Sequence, residues 1–163
     1  MSAPVTGTEL LDDLARRQAV TQAIRVLEDP RSSAEEQLAA QDSLDWYARE
    51  IKDWFRPAGY KLLVYIPYLQ AKMESGLAMP DQSRTQYQTA SIHAHVIAVG
   101  PEAYRDEKRF PNGPWCQEGD RILMRAYSGT RFKRIGYPFE YALINDDTVD
   151  GVMNSDLKIE RPT

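Results

Sequence analysis

Apolar positions recur at helical spacing through the first 55 residues of the chain. Two stretches open with the spacing of a capping box, Thr6 to Glu9 and Ser33 to Glu36, in which two side chains satisfy backbone N–H groups at a helix start. Pro30 separates them, because its ring cannot continue a helix. The apolar residues at intervals of three and four are Leu10, Leu14, Ile24 and Leu27, then Leu44, Tyr47, Ile51, Trp54 and Phe55. The pattern predicts two antiparallel helices.

After Pro57 the period changes to short apolar runs separated by glycine and proline, which is typical of strands and turns. Strands are predicted over residues 60–66, 91–99, 120–127, 131–135, 137–143 and 149–153. Gly136 predicts a tight hairpin turn, and two longer loops span residues 68–90 and 100–119. Short strands with glycine corners indicate a small barrel or sandwich. From alternating positions we expect a core that contains Leu63, Val96, Ala98, Ile122, Met124, Leu143 and Ile144.

The composition and net charge of the chain argue against some classes of protein. The net charge of −4 and the pI of about 5.2 do not fit a protein that wraps nucleic acid. The cations between Arg125 and Arg134 are expected to form a solvated strand face rather than a phosphate site. A lone Cys116 fits a reducing compartment, and no signal peptide or run of about 20 apolar residues is present. We therefore expect a cytoplasmic protein, or one that ends in a particle assembled there.

A series of short motifs punctuates the β region in a fixed order. They are RP at 56–57, LLV at 62–64, SGLAMP at 75–80, VIAVGP at 96–101, EGDRIL at 118–123, YSGT at 127–130 and YALINDD at 141–147. This order resembles the GroES-type co-chaperonin (chaperonin-10) family. The resemblance covers residues 56–153 and implies a small GroES-like β-barrel. Residues 1–55 would then be an N-terminal two-helix extension, and residues 154–163 a C-terminal tail.

The resemblance also implies a function. Members of the family form rings, heptamers as a rule, that cap a chaperonin without catalysis of their own, and an exposed mobile loop docks an apolar tripeptide on the large ring. The matching residues here are Leu77, Ala78 and Met79, preceded by Ser75 and Gly76. The alternative is that Leu77 and Met79 pack on their own barrel. Either role would remove their apolar surface from water.

The second loop matches the family's roof hairpin, and it contains Tyr104, Phe110 and Trp115. These aromatic residues either contact a neighbouring subunit or partner, or anchor the loop on its own domain. The segment around Tyr104 and residues 110–116 is similar to co-chaperonin-like proteins of tailed bacteriophages. Together with the helical extension, which ends in Trp54 and Phe55 and could dock on a partner, it suggests an alternative function: a virion structural protein, such as a capsid decoration protein.

Enzymatic functions find little support. His93 and His95 lie two apart on a predicted strand and share a face, but a structural zinc site needs four ligands and no other candidate lies nearby. We therefore expect two histidines on a solvated face. Cys116 has no neighbouring histidine to activate its thiol, and nucleotide-binding and hydrolase motifs are absent from the sequence. The sequence predicts no catalysis, no cofactor and no bound metal.

Overall fold

The structure, a computed structural model, describes residues 7–67 and 92–154 together with Leu157. Helix α1 spans Gly7–Glu28 and α2 spans Ala34–Arg49, followed by a 3-10 turn over Glu50–Asp53. The predicted capping box of α2 is present: the Ser33 side chain accepts from the Glu36 N–H at 3.2 Å, and the Glu36 carboxyl accepts from the Ser33 N–H at 2.8 Å. None of the helices in the described part of the chain is long and apolar enough to cross a membrane.

Six antiparallel strands form one sheet in the order β4-β5-β1-β2-β3-β6. Their bounds are Lys61–Ile66 (β1), His93–Val99 (β2), Arg121–Met124 (β3), Thr130–Lys133 (β4), Glu140–Asn145 (β5) and Val149–Met153 (β6). The predicted mainly-β fold with two N-terminal helices is confirmed.

The short link between β5 and β6 shows that the sheet is strongly curved. These strands have three others between them, so in a flat sheet they would lie about 19 Å apart, at about 4.8 Å per strand. The chain passes from Asn145 to Val149 through one 3-10 turn, Asp146–Thr148, and four residue steps span at most about 14 Å. The sheet must therefore curl until β6 approaches the end of β5, as in a barrel.

Alternate residues of the sheet pack on opposite faces, so the molecule has two apolar clusters rather than the single core that we predicted. Strand β1 directs Leu62, Val64 and Ile66 into the barrel, whereas Leu63 and Tyr65 point outward. Of the predicted core residues, Val96, Ile122, Met124 and Ile144 lie inside the barrel, and Leu63, Ala98 and the partly buried Leu143 lie outside it.

The helices cover the outer face. Leu44 and Ala48 of α2 are fully buried in the outer cluster, and Val20 and Leu27 of α1 join them. The hydroxyl of Tyr141 on β5 donates to the Ala48 carbonyl at 2.8 Å, in a buried hydrogen bond between layers. Leu10 and Leu14, predicted from their spacing to share the apolar face of α1, are instead more than half exposed, because α1 meets this cluster with the face that carries Asp13, Val20 and Leu27.

The hairpin between β4 and β5 is longer than the tight turn predicted at Gly136. Strand β4 ends at Lys133 and β5 begins at Glu140, so six residues connect them. Their side chains are held by the helices: the Tyr137 hydroxyl donates to Asp13 at 2.7 Å, and the Arg134 guanidinium lies 4.7 Å from the ring centre of Trp54. Tertiary contacts with α1 and the end of α2 therefore override the local strand pattern. Strand β3 is also shorter than predicted and ends at Met124.

The buried contact of α2 predicts a large effect of one substitution. Leu44→Ala removes a side chain with no exposed surface, and should lower the free energy of unfolding by about 2–5 kcal/mol in urea denaturation. Leu38→Ala on the same helix is the matched control. Leu38 is 65% exposed, so this change should stay within about 0.5 kcal/mol. Equal effects of the two substitutions would mean that α2 does not pack on the barrel in solution.

Candidate partner-binding surfaces

The apolar triplet of the first loop, Leu77, Ala78 and Met79, lies outside the described residues, as do Ser75 and Gly76. The structure does fix the flanks of this segment. Strands β1 and β2 are antiparallel neighbours in which Tyr65 pairs with His95, so β1 ends and β2 begins at the same end of the barrel. The turn between β4 and β5 lies at this end too, because Ile66 pairs with Glu140.

The second loop leaves the opposite end of β2, after Val99, and returns at Asp120. Its first residue passes close to the backbone that precedes β1. A Cβ atom added to Gly100 would lie 2.3 Å from the Gly59 carbonyl oxygen and 2.7 Å from that of Lys61. Only glycine fits there without a backbone shift. The second loop therefore lies at the end of the barrel opposite to the one where β1 ends and β2 begins.

The aromatic residues of the second loop pack on one another. The ring centre of Phe110 lies 4.9 Å from that of Tyr104 and 4.9 Å from that of Trp115, both edge to face. Tyr104 and Phe110 are buried in the barrel cluster, whereas Trp115 is 45% exposed. Tyr104 and Phe110 thus anchor the loop on its own domain, and Trp115 remains accessible to a partner.

Tyr104 and Cys116 are in contact inside this loop. The Tyr104 hydroxyl lies 3.3 Å from the Cys116 Sγ. Burial is the main cause that raises the pKa of both groups, and the contact with Cys116 adds to the shift of Tyr104. The thiol is held as a neutral packing group, which gives it no character of an activated nucleophile.

The buried carboxyl group of Asp146, which lies between β5 and β6, holds the second loop in place. The Tyr104 N–H donates to the Asp146 Oδ2 at 3.0 Å, and Asp146 is 3% exposed. Tyr104 has a φ of 60°, a left-handed conformation that is uncommon for a residue other than glycine. The next residue, Asp147, pairs with Arg109 of the same loop. The sequence analysis assigned no role to either aspartate.

The two aromatic residues after α2 differ in their surroundings. Phe55 is partly buried and lies 5.2 Å, between ring centres, from Phe132 on β4. Trp54 is 59% exposed, but its ring is flanked by the guanidinium groups of Arg16 at 5.7 Å and Arg134 at 4.7 Å. Trp54 and Trp115 are therefore the predicted contact residues that keep an accessible surface.

The cations of residues 125–134 form the solvated face that we expected only in part, because Arg125 and Lys133 are exposed and Arg131 and Arg134 are partly buried. Arg131 lies 3.6 Å from the buried Glu140, Arg134 lies 3.8 Å from Asp13, and Arg125 donates to the Asp147 carbonyl at 3.3 Å. Each of these arginines is engaged within the chain.

The two histidines of β2 also differ from expectation. Instead of a solvated face, His93 and His95 line a cavity of about 720 Å³ between the sheet and α2, whose Asp45 and Arg49 line the other side. Among the described residues no three His, Cys, Asp or Glu side chains are grouped so that they could hold a metal ion. The helical layer covers a strand face that the sequence alone left open.

The comparison with known proteins separates the barrel from the N-terminal helices. Residues 54–153 match the family described as chaperonin 10 Kd subunit, which is more than half of the chain and includes all six strands. The chain belongs to the chaperonin 10 family. The match begins two residues before the segment identified from its motifs, and it leaves both helices of this chaperonin 10 chain outside.

Individual relatives support this family assignment. This chaperonin 10 chain is 32% identical to the co-chaperonin GroES of Rubrobacter xylanophilus over 99 residues, which are 61% of this chain and 96% of the relative. It is 35% identical to the mitochondrial 10 kDa chaperonin of Arabidopsis thaliana over 101 residues, 61% of this chain and 94% of the relative. Nearly the whole length of these relatives is thus represented here, and the helices are additional.

The Asp146 contact generates a prediction for the second loop. Asp146→Ala should leave the buried Tyr104 N–H without its acceptor, at a cost of about 1–3 kcal/mol. Release of the loop should speed tryptic cleavage at Arg105, Lys108 and Arg109, which mass spectrometry of the fragments would measure. Asp150→Ala, at an exposed position of β6, is the control. Cleavage at the wild-type rate in Asp146→Ala would contradict the anchoring role.

Proposed function

We propose that this chaperonin 10 chain is a co-chaperonin, an oligomeric cap that closes a chaperonin ring and assists folding without catalysis of its own. The observation that carries the proposal is the family match over the whole barrel, to relatives named co-chaperonin GroES and 10 kDa chaperonin. The barrel geometry is compatible with this role, because β1 ends and β2 begins at one end of the barrel and the second loop lies at the other. The cytoplasm of a bacterial host is the proposed place of action.

Edge strands support the proposal of a ring. Strands β4 and β6 are the two edges of the sheet in the described part of the chain, and a strand edge is a template for pairing with another chain. Val152 on β6 and Trp115 beside it are about half exposed and line one cleft of about 510 Å³. Copies joined head to tail through unlike edges would close into a ring, for which the family resemblance suggests seven subunits.

Leu77, Ala78 and Met79, with Ser75 and Gly76 before them, are proposed to contact the chaperonin. A single triplet with alanine at its centre buries little apolar area, at about 25 cal/mol per Å². Seven copies on one ring would bind together far more tightly than one. Weak individual contacts suit a cap that must also dissociate.

The loop proposal predicts a loss of binding on a charge substitution. The chain should co-sediment with a bacterial chaperonin ring in the presence of ATP at micromolar concentration. Leu77→Asp and Met79→Asp should each weaken this binding at least tenfold, because a carboxylate is costly to bury in an apolar groove. Leu11→Asp is the matched control, since Leu11 is 68% exposed on α1. Absence of a complex for the wild type would overturn the function, and equal loss in the control would overturn the role of the loop.

Native mass distinguishes the ring from the alternative function. The alternative is a virion structural protein, such as a capsid decoration or minor head or tail component, that binds capsid proteins. The helical layer outside the family match, with its exposed Leu10, Leu11 and Leu14, favours it. Native mass spectrometry should give about seven times the chain mass of 18.6 kDa for a cap. A monomer or trimer would favour the virion component, which purified particles should then contain at a fixed copy number.

A further inference from the structure

The junction between α2 and the sheet contains an unusual set of ionisable groups. Strand β2 contributes His93 and His95, and His95 lies opposite Arg121 of β3. Helix α2 contributes Asp42, Asp45 and Arg49 to the same cavity, and Asp120 lies at its rim before β3. The groups that face the two imidazoles are thus two arginines and three aspartates, which lie on α2, on β3 and in the loop just before β3.

The surroundings of His95 favour a neutral imidazole. Its Nδ1 atom is buried and has no hydrogen-bond partner in the described part of the chain, and its ring lies 6.0 Å from that of Tyr65 in the outer apolar cluster. Burial, with the positive charges of Arg121 and Arg49 nearby, lowers the pKa of His95 to about 4. Burial and Arg121 also lower the pKa of His93.

Two of the three aspartates, Asp45 and Asp120, accept hydrogen bonds from other groups. Asp45 is tied to its own helix, where its Oδ1 accepts from Gln41 at 3.1 Å. Burial raises the pKa of Asp45, despite the neighbouring Arg49 and Arg121. Asp120 accepts from the Gln117 N–H at 2.9 Å. Two positive imidazolium groups would therefore be added beside two arginines in a partly dehydrated cavity.

We propose that this junction is a proton-sensitive latch, in which protonation of His93 and His95 releases the N-terminal half of α2 from the barrel. The last turn of α2 remains attached through the hydrogen bond of Tyr141 to Ala48, and Ile51 of the 3-10 turn that follows is buried in the outer cluster. Pro67 and His93 line the same cavity and flank residues 68–91. Release of α2 thus changes the surface beside the segment that the proposed function assigns to the partner, and the latch lies partly outside the family match.

The sign of the effect follows from linkage. In the released state the histidines are hydrated and bind protons with a pKa near 6.5, whereas in the closed state they resist protonation. Closure is therefore fully favourable above pH 6.5 and weakens as the pH falls toward 4. For His95 alone, the interval from 6.5 to about 4 corresponds to an approximately 300-fold shift toward release. Asp45 acts in the opposite sense, since its raised pKa favours closure once it is protonated.

Hydrogen exchange measured peptide by peptide tests the latch. Exchange over residues 37–45 is compared with that of β1 and β5 at pH 7 and pH 4.5, and each variant is compared with the wild type at the same pH to remove the intrinsic pH dependence. In the wild type, protection of residues 37–45 should fall at least tenfold at pH 4.5 while β1 and β5 stay protected. The double variant His93→Gln/His95→Gln should lose less than twofold. His95→Lys should already show the loss at pH 7.

Other outcomes would overturn the latch. They are full protection of α2 in the wild type at pH 4.5, an equal loss in the double variant, or a loss that β1 and β5 share with α2. Asp45→Asn is the control for the opposing group. It should increase the protection of α2 at pH 7 and keep the loss at pH 4.5, because both histidines remain. The double variant keeps the test decisive if His95→Lys does not fold.

Discussion

Burial of the outer face of the barrel is the constraint on which the rest of the structure depends. Leu63, Tyr65 and Tyr141 point away from the barrel interior, and each is fully or largely enclosed by the helices. A sheet whose two faces are both apolar needs a covering layer on each side. Residues 7–53 supply that layer, and the barrel in turn gives short helices the packing surface that isolated helices lack.

Much of the fold could be predicted from the chain, because local rules agree with the tertiary structure in most places. The capping box at Ser33 and the breaks at Pro30 and Pro57 set the helices, and the strands begin and end close to the glycines. The sequence analysis did not predict that both faces of the sheet are buried, although the sequence contains the pattern that indicates it. Residues 62–66 are a continuous apolar run rather than an alternating one, which is the pattern of a strand buried on both sides.

The wrong predictions concern residues whose conformation depends on contacts with residues that are distant in the sequence. Arg134 and Tyr137 look like strand residues, but Asp13 and Trp54 draw them into a turn. The role of Asp146 could not be predicted, because its donor is 42 residues away. The family motifs singled out Tyr104, Phe110 and Trp115 together, either as partner contacts or as anchors of their own loop. Which of the aromatic residues keep an open surface depends on packing that no single segment encodes.

The hydrogen bond between Tyr141 and Ala48 joins residues 93 apart in the sequence, and this separation has a consequence for synthesis. A ribosome releases the N-terminal helices first, at about 5–20 residues per second. The strand that completes their packing surface emerges only when the chain is nearly finished. For several seconds the apolar side of α2 has no complete partner within its own chain. During synthesis this chain would thus expose apolar surface, as do the nascent chains that chaperones protect.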